Sequence, residues 1–543
     1  MIKIIENFFD RLQQTPMSFG LWISSFLGIV ILRDFFESIL SFQSVSSATS
    51  FHLVHFPLFF LSLFLAVIVL LHFFSRVDAV SIARMGIFFF GIILFPILVD
   101  FLIQCVYSQN VLYVYVEKDL GWHFTHFFLL TTIDPNIPYG IRLEIISIVL
   151  FSFCYISIKR KSFLWALWGS FCIYVACFIA IALPALIEIV HHAVAARLPF
   201  VNLGNTGTLL NSADHDTGLR LVSIVQLLCI TVLAGVWYWR YDQRKCRALL
   251  SNMRATRCLH YILLMVFGMI LHYCVDPERI TANLSILRFL GAAFALFFAF
   301  QFSVVTNDAV DISTDQVSNQ DRPLVRDVLS VKEYLEVGFV YLALSLLFGL
   351  QAGDAVFMLI LVFIIVYFVY SLPPLRLKRF LGISNAVIGL EALVAVFVGY
   401  VFRQDSPVSL NNPSPEIFWG IFFIFFLASS VKDLKDMAGD RSAGVLTLPI
   451  LVGSAKANQT VAVLVLTSYF LLPFSLYRSL DPIVFFLVLS SAALLGGFSY
   501  LRMRSGKLKE DMIFAVYFIY LVVVSVALLV QSDIVQARIH IGF

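Results

Sequence analysis

Residues 307–324 read NDAVDISTDQVSNQDRPL, and residues 432–449 read KDLKDMAGDRSAGVLTLP. Each carries three aspartates as D-x2-D-x3-D: Asp308, Asp311 and Asp315, then Asp433, Asp436 and Asp440, each 125 residues after its counterpart. Acids three and four apart share one helix face, so each trio is predicted to project its carboxylates in one direction. Asn307, Asp311 and Asp315 form an i, i+4, i+8 stripe with Asp308 beside it. The surroundings are very apolar, and a central acid in a spanning helix costs roughly 2.5–3.5 kcal/mol. An unpaired trio would cost on the order of 8–10 kcal/mol. Such clusters persist at a membrane surface, in a wet cavity or around cations, and a repeat at domain scale favours a shared cation-binding role.

Of 543 residues, 60% are hydrophobic and 13% charged, and mean hydropathy is +0.92; a soluble domain would be about 25% charged. Roughly fifteen apolar runs reach about 18–22 residues, which predicts an all-α polytopic membrane protein. A net charge of +3 is too small to suggest nucleic acid as a partner. Glu6, Asp10 and Arg11 precede the first apolar run, with no cleavage-like site after it, so no leader is expected. The eight cysteines form no C-x2-C pair, so neither a disulfide framework nor a cysteine zinc site is indicated.

The basic segment Arg240 to Arg257, RYDQRKCRALLSNMRATR, is the predicted domain boundary. It divides about six spans from about nine, giving domains 1–245 and 246–543. Arg376, Lys378 and Arg379, with Arg502, Arg504, Lys507 and Lys509, lie on the same side as both aspartate clusters. The opposite loops, Gln351–Asp354 and Arg403–Glu416, are poor in Lys and Arg. The positive-inside rule therefore places the clusters on the cytoplasmic side, and Arg76, Arg84, Lys159, Arg160 and Lys161 orient the first half likewise. A plasma or bacterial-type inner membrane is expected.

Carboxylate and amide oxygens suit hard divalent cations, and Mg²⁺ commonly shares its shell with a substrate phosphate. Two facing clusters would hold a diphosphate between them, the metal taking up negative charge as a carbon–oxygen bond breaks. A third element, YSLPPLRLKRF at 370–380, offers Arg376, Lys378 and Arg379 to phosphate oxygens. Alone, that loop would read as an ordinary positive-inside anchor.

N-D-x2-D-x3-D before R-P-L, then Y-S-x-P-P-L-R-L-K, then K-D-x2-D-x2-G-D-x3-G-x2-T-L-P resembles the UbiA superfamily of intramembrane prenyltransferases. The likeness covers about residues 250–540. It implies a nine-helix bundle, preceded here by a six-helix transmembrane unit, and Mg²⁺-dependent transfer of a polyprenyl group from its diphosphate to a hydrophobic acceptor within the lipid membrane. The acceptor class implied is an aromatic quinone precursor or a lipid alcohol. By matching position, Asn307, Asp311 and Asp315 bind one metal–diphosphate face, and Asp436 and Asp440 the other. Asp308 and Asp433 are supporting metal-side acids; Arg322, Arg376 and Lys378 contact the diphosphate, with Tyr370 near them. Relatives often have N-x-P before R-P-L; here Ser318-Asn319-Gln320-Asp321 stands there, which leaves the loop conformation open. No residue announces itself as the base for the acceptor's proton.

Two readings compete. A lipid phosphoryl-group transferase would carry D-G-x2-A-R before a late D-x3-D, and neither trio has it. A cation or lipid transporter would place its carboxylates near the bilayer midplane on broken helices. The first half, residues 1 to about 245, carries no motif that assigns it to a family. Arg33 and Glu37 form an i, i+4 pair beside Asp34, which reads as mutual neutralisation. Glu188, His191 and His192, with His215 between Asp214 and Asp216, have ligand-like spacing, though interfacial histidines such as His123 and His126 are commoner than zinc sites. The polar loop Leu198–Gly218 suggests a binding surface, so this half is expected to bind or deliver a lipid or dock a partner.

Overall fold

A computed structural model describes residues 2–40, 52–107, 115–116, 118–129, 137–197, 215–275, 285–402, 415–442, 444–506 and 510–541. The chain is an all-α, multi-pass integral membrane protein: among the described residues, fifteen helices are long and apolar enough to cross a membrane. Its contacts divide it into two units, the first running from Met1 to Gln243 with Ser285–Leu287, the second comprising Arg244–Leu284 and Arg288–Phe543.

In the first unit, the spans begin at Phe19, Val54, Ala79, Tyr139, Phe163 and Asp216. Phenylalanine does much of the packing. The Phe26 and Phe64 rings stack on Phe90 at 4.9 and 4.8 Å, and Trp22 stacks on Phe64 at 5.5 Å. Arg33 is buried there, 3.8 Å from Glu37 on its own helix and 3.7 Å from Glu144 on another. Its Nη1 donates to the Ile93 carbonyl at 3.0 Å, and its guanidinium lies over the Phe60 ring. The neutralisation expected from Arg33 and Glu37 thus involves a second helix, which ties the unit together as well as screening the charge. His192 meets Glu188 at 3.7 Å. The segment 198–214, including Asp214, and the His215 side chain lie outside the described residues.

In the second unit, helix Ile286–Val310 is the most deeply buried of the described spans. Helices Ala255–Val275 and Ile383–Val401 cross at two reciprocal glycines. A Cβ on Gly268 would overlap the Val396 carbonyl oxygen, and one on Gly399 would overlap that of Met265. With no apolar gain in lipid for side chains to exploit, such backbone approach supplies dispersion contact that larger residues forbid. Gly399→Leu is therefore expected to destabilise this unit by at least about 1–3 kcal/mol, read as a lower unfolding midpoint in detergent; an unchanged midpoint would contradict this packing.

Helix Val331–Ala352 starts from a reciprocal cap: the Glu333 amide donates to Ser330 Oγ, and the Ser330 amide donates to Glu333 Oε2 at 3.0 Å. Its first turn is also held by Lys245, whose Nζ lies 2.5 Å from Glu333 Oε1. These contacts fix the polar end of the helix that presents Tyr334 to the first aspartate cluster.

Candidate active site

Helix Ile286–Val310 ends where the first trio begins, and a short helix, Ile312–Ser318, continues past Asp311. The i to i−4 bonds persist across the junction, from the Asp311 amide to Asn307 O at 3.0 Å and from the Asp315 amide to Asp311 O at 2.9 Å. The expected stripe of Asn307, Asp311 and Asp315 is thus kept. Helix Val431–Ser442 carries the second trio. It packs on the short helix so closely that a Cβ on Gly439 would overlap Ser318 Oγ. The glycine of the K-D-x2-D-x2-G-D run permits that approach. Both aspartate-bearing segments line one polar basin of about 740 Å³, through Asn307, Asp311 and Asp315 and through Lys432 and Asp433, together with the 370–380 loop and Asn252, Arg254 and Arg257.

The acids divide by partner. Asp308 is 1% exposed. Its Oδ1 accepts from Arg254 and Arg322, both at 2.7 Å, and its Oδ2 from Asn252 at 2.8 Å and Tyr334 at 3.1 Å. Four protein donors thus surround the Asp308 carboxylate. Arg322 also bonds Asp315, joining the two acids through one guanidinium. Burial pushes the Asp315 carboxyl up to about 6, against the opposing pull of Arg322. Asp311 accepts from Arg376 Nη2 at 2.7 Å and pairs with Lys378. Burial draws the Lys378 ammonium down, and the Asp311 charge opposes it. Asn307 Oδ1 accepts from Ser371 Oγ at 2.6 Å and Lys378 Nζ at 3.0 Å.

In the second cluster, Asp433 is buried and pairs with Lys432 at 3.0 Å. Lys432 also donates to the Tyr370 hydroxyl at 2.9 Å, which brings the second cluster to the 370–380 loop. The side chains of Asp436 and Asp440 lie outside the described residues; their backbone belongs to helix Val431–Ser442. Among the described residues, no three His, Cys, Asp or Glu side chains close on one point as a ready metal shell. Arg254 and Arg376, which grip Asp308 and Asp311, stand at φ 49° and 40°, in the left-handed region that L-residues seldom occupy. Tertiary contacts hold that strain, a common feature of functional sites.

Asn252, Arg254, Tyr334, Ser371 and Lys432 are site residues that motif reading missed. Asn252 and Arg254 lie inside the basic segment taken as a boundary, where positive charge has an ordinary topological explanation. Lys432 was visible as the first letter of K-D-x2-D. The available signal for Tyr334 was only a tyrosine near a helix start.

The chemistry of this basin is that of a polyanion site. Oxygen donors from Asn307, Asp311 and Asp315 suit a hard cation, and the donor set includes neither thiol nor imidazole. Arg322, Arg376, Lys378 and Lys432 supply positive charge at the same place. Arg254, Tyr367, Tyr370 and Lys432 also line an apolar cavity of about 200 Å³, walled by groups such as Phe267, Phe300, Ile421 and Leu472. A charged group and an apolar one would thus find their solvents side by side.

Residues 261–522 match the UbiA prenyltransferase family, and residues 1–260 lie outside the match. The digeranylgeranylglyceryl phosphate synthase of Methanosphaera stadtmanae is 22% identical over 265 residues, 48% of this chain and 89% of its own length. The homogentisate phytyltransferase of Synechocystis sp. is 24% identical over 234 residues, 40% of this chain and 73% of its own. A solved structure of a UbiA homolog from Archaeoglobus fulgidus bound to GPP and Mg²⁺ is 20% identical, with TM-score 0.43, covering 53% of this chain and 99% of that one.

Proposed function

The chain belongs, through residues 261–522, to the UbiA prenyltransferase family, and from that premise we propose that it transfers a polyprenyl group from prenyl diphosphate to a hydrophobic acceptor with Mg²⁺ as cofactor. The observation that carries this reading is the convergence of both aspartate-bearing segments and the 370–380 loop on one basin that opens onto an apolar cavity. The chemistry supplied by bound Mg²⁺ is neutralisation of the diphosphate and of the charge that grows on it as it leaves. Asn307, Asp311 and Asp315 hold one side of that headgroup, and Asp436 and Asp440 the other. Arg322, Arg376 and Lys378 exchange their carboxylate partners for phosphate oxygens, joined by Lys432. Asp308 orients Arg254 and Arg322, and Asp433 orients Lys432. The apolar walls keep water from the allylic carbon until the acceptor reaches it.

The finer architecture follows the same reading: six spans in residues 1–245, nine in 246–543, and the basin on the cytoplasmic side of a plasma or inner membrane by the positive-inside rule. The acceptor is an aromatic quinone precursor or a lipid alcohol, and relatives named for both kinds match this chain. The first unit binds or delivers a lipid, or docks a partner. Incubating the purified protein with Mg²⁺, a series of labelled prenyl diphosphates and total lipid extract should give a prenylated lipid or phenol by mass analysis. Release of no diphosphate with any chain length would reject the assignment. Unaltered acceptor choice in a chain shortened to begin near Arg244 would remove the first unit from the reaction.

A further inference from the structure

Glu391 lies on helix Ile383–Val401, eight residues past its polar end, or about 12 Å into the bundle. It is 2% exposed. Its Oε2 accepts from the Tyr261 hydroxyl at 3.1 Å, while Oε1 is buried with no hydrogen-bond partner. The residue lines the apolar cavity, and Tyr370 and Lys432 are among the residues that line both that cavity and the basin. A carboxyl oxygen left without a donor in such surroundings carries a substantial desolvation cost. An ionisable side chain inside a span is a functional feature by default, and packing alone would have been served as well by Leu or Gln.

Resting on the prenyl-transfer reading, we infer that Glu391 is the acceptor-anchoring residue: its free Oε1 accepts a hydrogen bond from a hydroxyl group of the acceptor. The placement suits the task. The reacting carbon of the donor must lie next to its diphosphate, hence near Tyr370 and Lys432, which line both spaces. An acceptor held by its hydroxyl within the adjoining cavity approaches that carbon from the side opposite the basin. Tyr261 fixes the carboxyl orientation by occupying the other oxygen and is itself held edge-on by Phe363 at 5.1 Å. A hydroxyl-specific anchor also discriminates sharply, because an analogue that cannot donate leaves the oxygen unpaired.

The test uses the full-length protein in detergent with Mg²⁺ and an unreactive thiolo-diphosphate analogue of the prenyl donor. Binding is followed by tyrosine fluorescence quenching with two probes in separate arms, the phenol homogentisate and the lipid alcohol geranylgeranylglyceryl phosphate. In the arm that binds, Glu391→Leu should weaken the probe about 10–100-fold, while Glu391→Gln, which keeps an accepting oxygen, stays within about threefold. Binding of the thiolo analogue should be unchanged in both, which also shows that the site is folded. The O-methylated form of the same probe should bind the wild type as weakly as the parent binds Glu391→Leu, an arm that needs no variant. Equal binding of the parent and its ether by the wild type overturns the inference. So does loss of donor and acceptor binding together in Glu391→Leu, or failure of both probes to bind. Loss of thiolo-analogue binding by the wild type instead strikes the prenyl-transfer reading itself.

Discussion

Asp311→Ala and Asp436→Ala should each lower Mg²⁺-dependent diphosphate release by at least about 10²–10³-fold, the usual cost of removing one fixed charge-stabilising group from a reacting centre. The two losses have different local consequences. Asp311 is the partner of Arg376 and Lys378, so its removal leaves two cations facing the basin. Diphosphate without metal should then bind at least as well as to the wild type, while the Mg²⁺ dependence disappears. Asp436 belongs to the helix that approaches from the other repeat, and its removal should weaken metal and donor binding together. Isothermal titration of Mg²⁺ and prenyl diphosphate, with release assays on the same samples, checks both. Full activity in either variant would take that residue out of the site.

The second large effect concerns stability. Asp308→Ala strips the shared partner from Arg254 and Arg322, both held within the protein, and leaves Tyr334 and Asn252 with donors unspent. Breaking a buried ion pair from one side typically costs about 3–5 kcal/mol. The expected result is a markedly lower unfolding midpoint, with Asp308→Asn intermediate because its amide oxygen still accepts. Mg²⁺ affinity measured below that midpoint should fall far less than in Asp311→Ala. A normal midpoint combined with lost Mg²⁺ binding would make Asp308 a ligand and not an anchor.

Much of this was written locally. Apolar runs of spanning length leave the backbone no alternative to helix, because unpaired amides in hydrocarbon are too costly. The two D-x2-D-x3-D runs announced a cation-binding site because acids at those spacings persist in greasy surroundings only at a wet edge or with cations. The 370–380 loop was equally legible from its bases. The identity of partners was not. Asp308 and Asp311 look alike in sequence, yet one is saturated by four protein donors and the other is held by two phosphate-suited cations. That difference depends on which helices pass each residue.

What the sequence by itself determined is therefore the class of solvent, the helical class and the chemistry of the charged basin, since each follows from residue types at short spacing. Only the tertiary structure decided how the charges pair, that Asn252 and Arg254 of the boundary segment reach Asp308, and that Glu391 faces a cavity with one oxygen unmatched. The contacts of Asp308 with Asn252 and Arg254, and of Glu391 with Tyr261, join residues 54 to 130 positions apart in the chain. Burial and hydrogen-bond satisfaction are settled only when distant helices pack, and no local spacing encodes them.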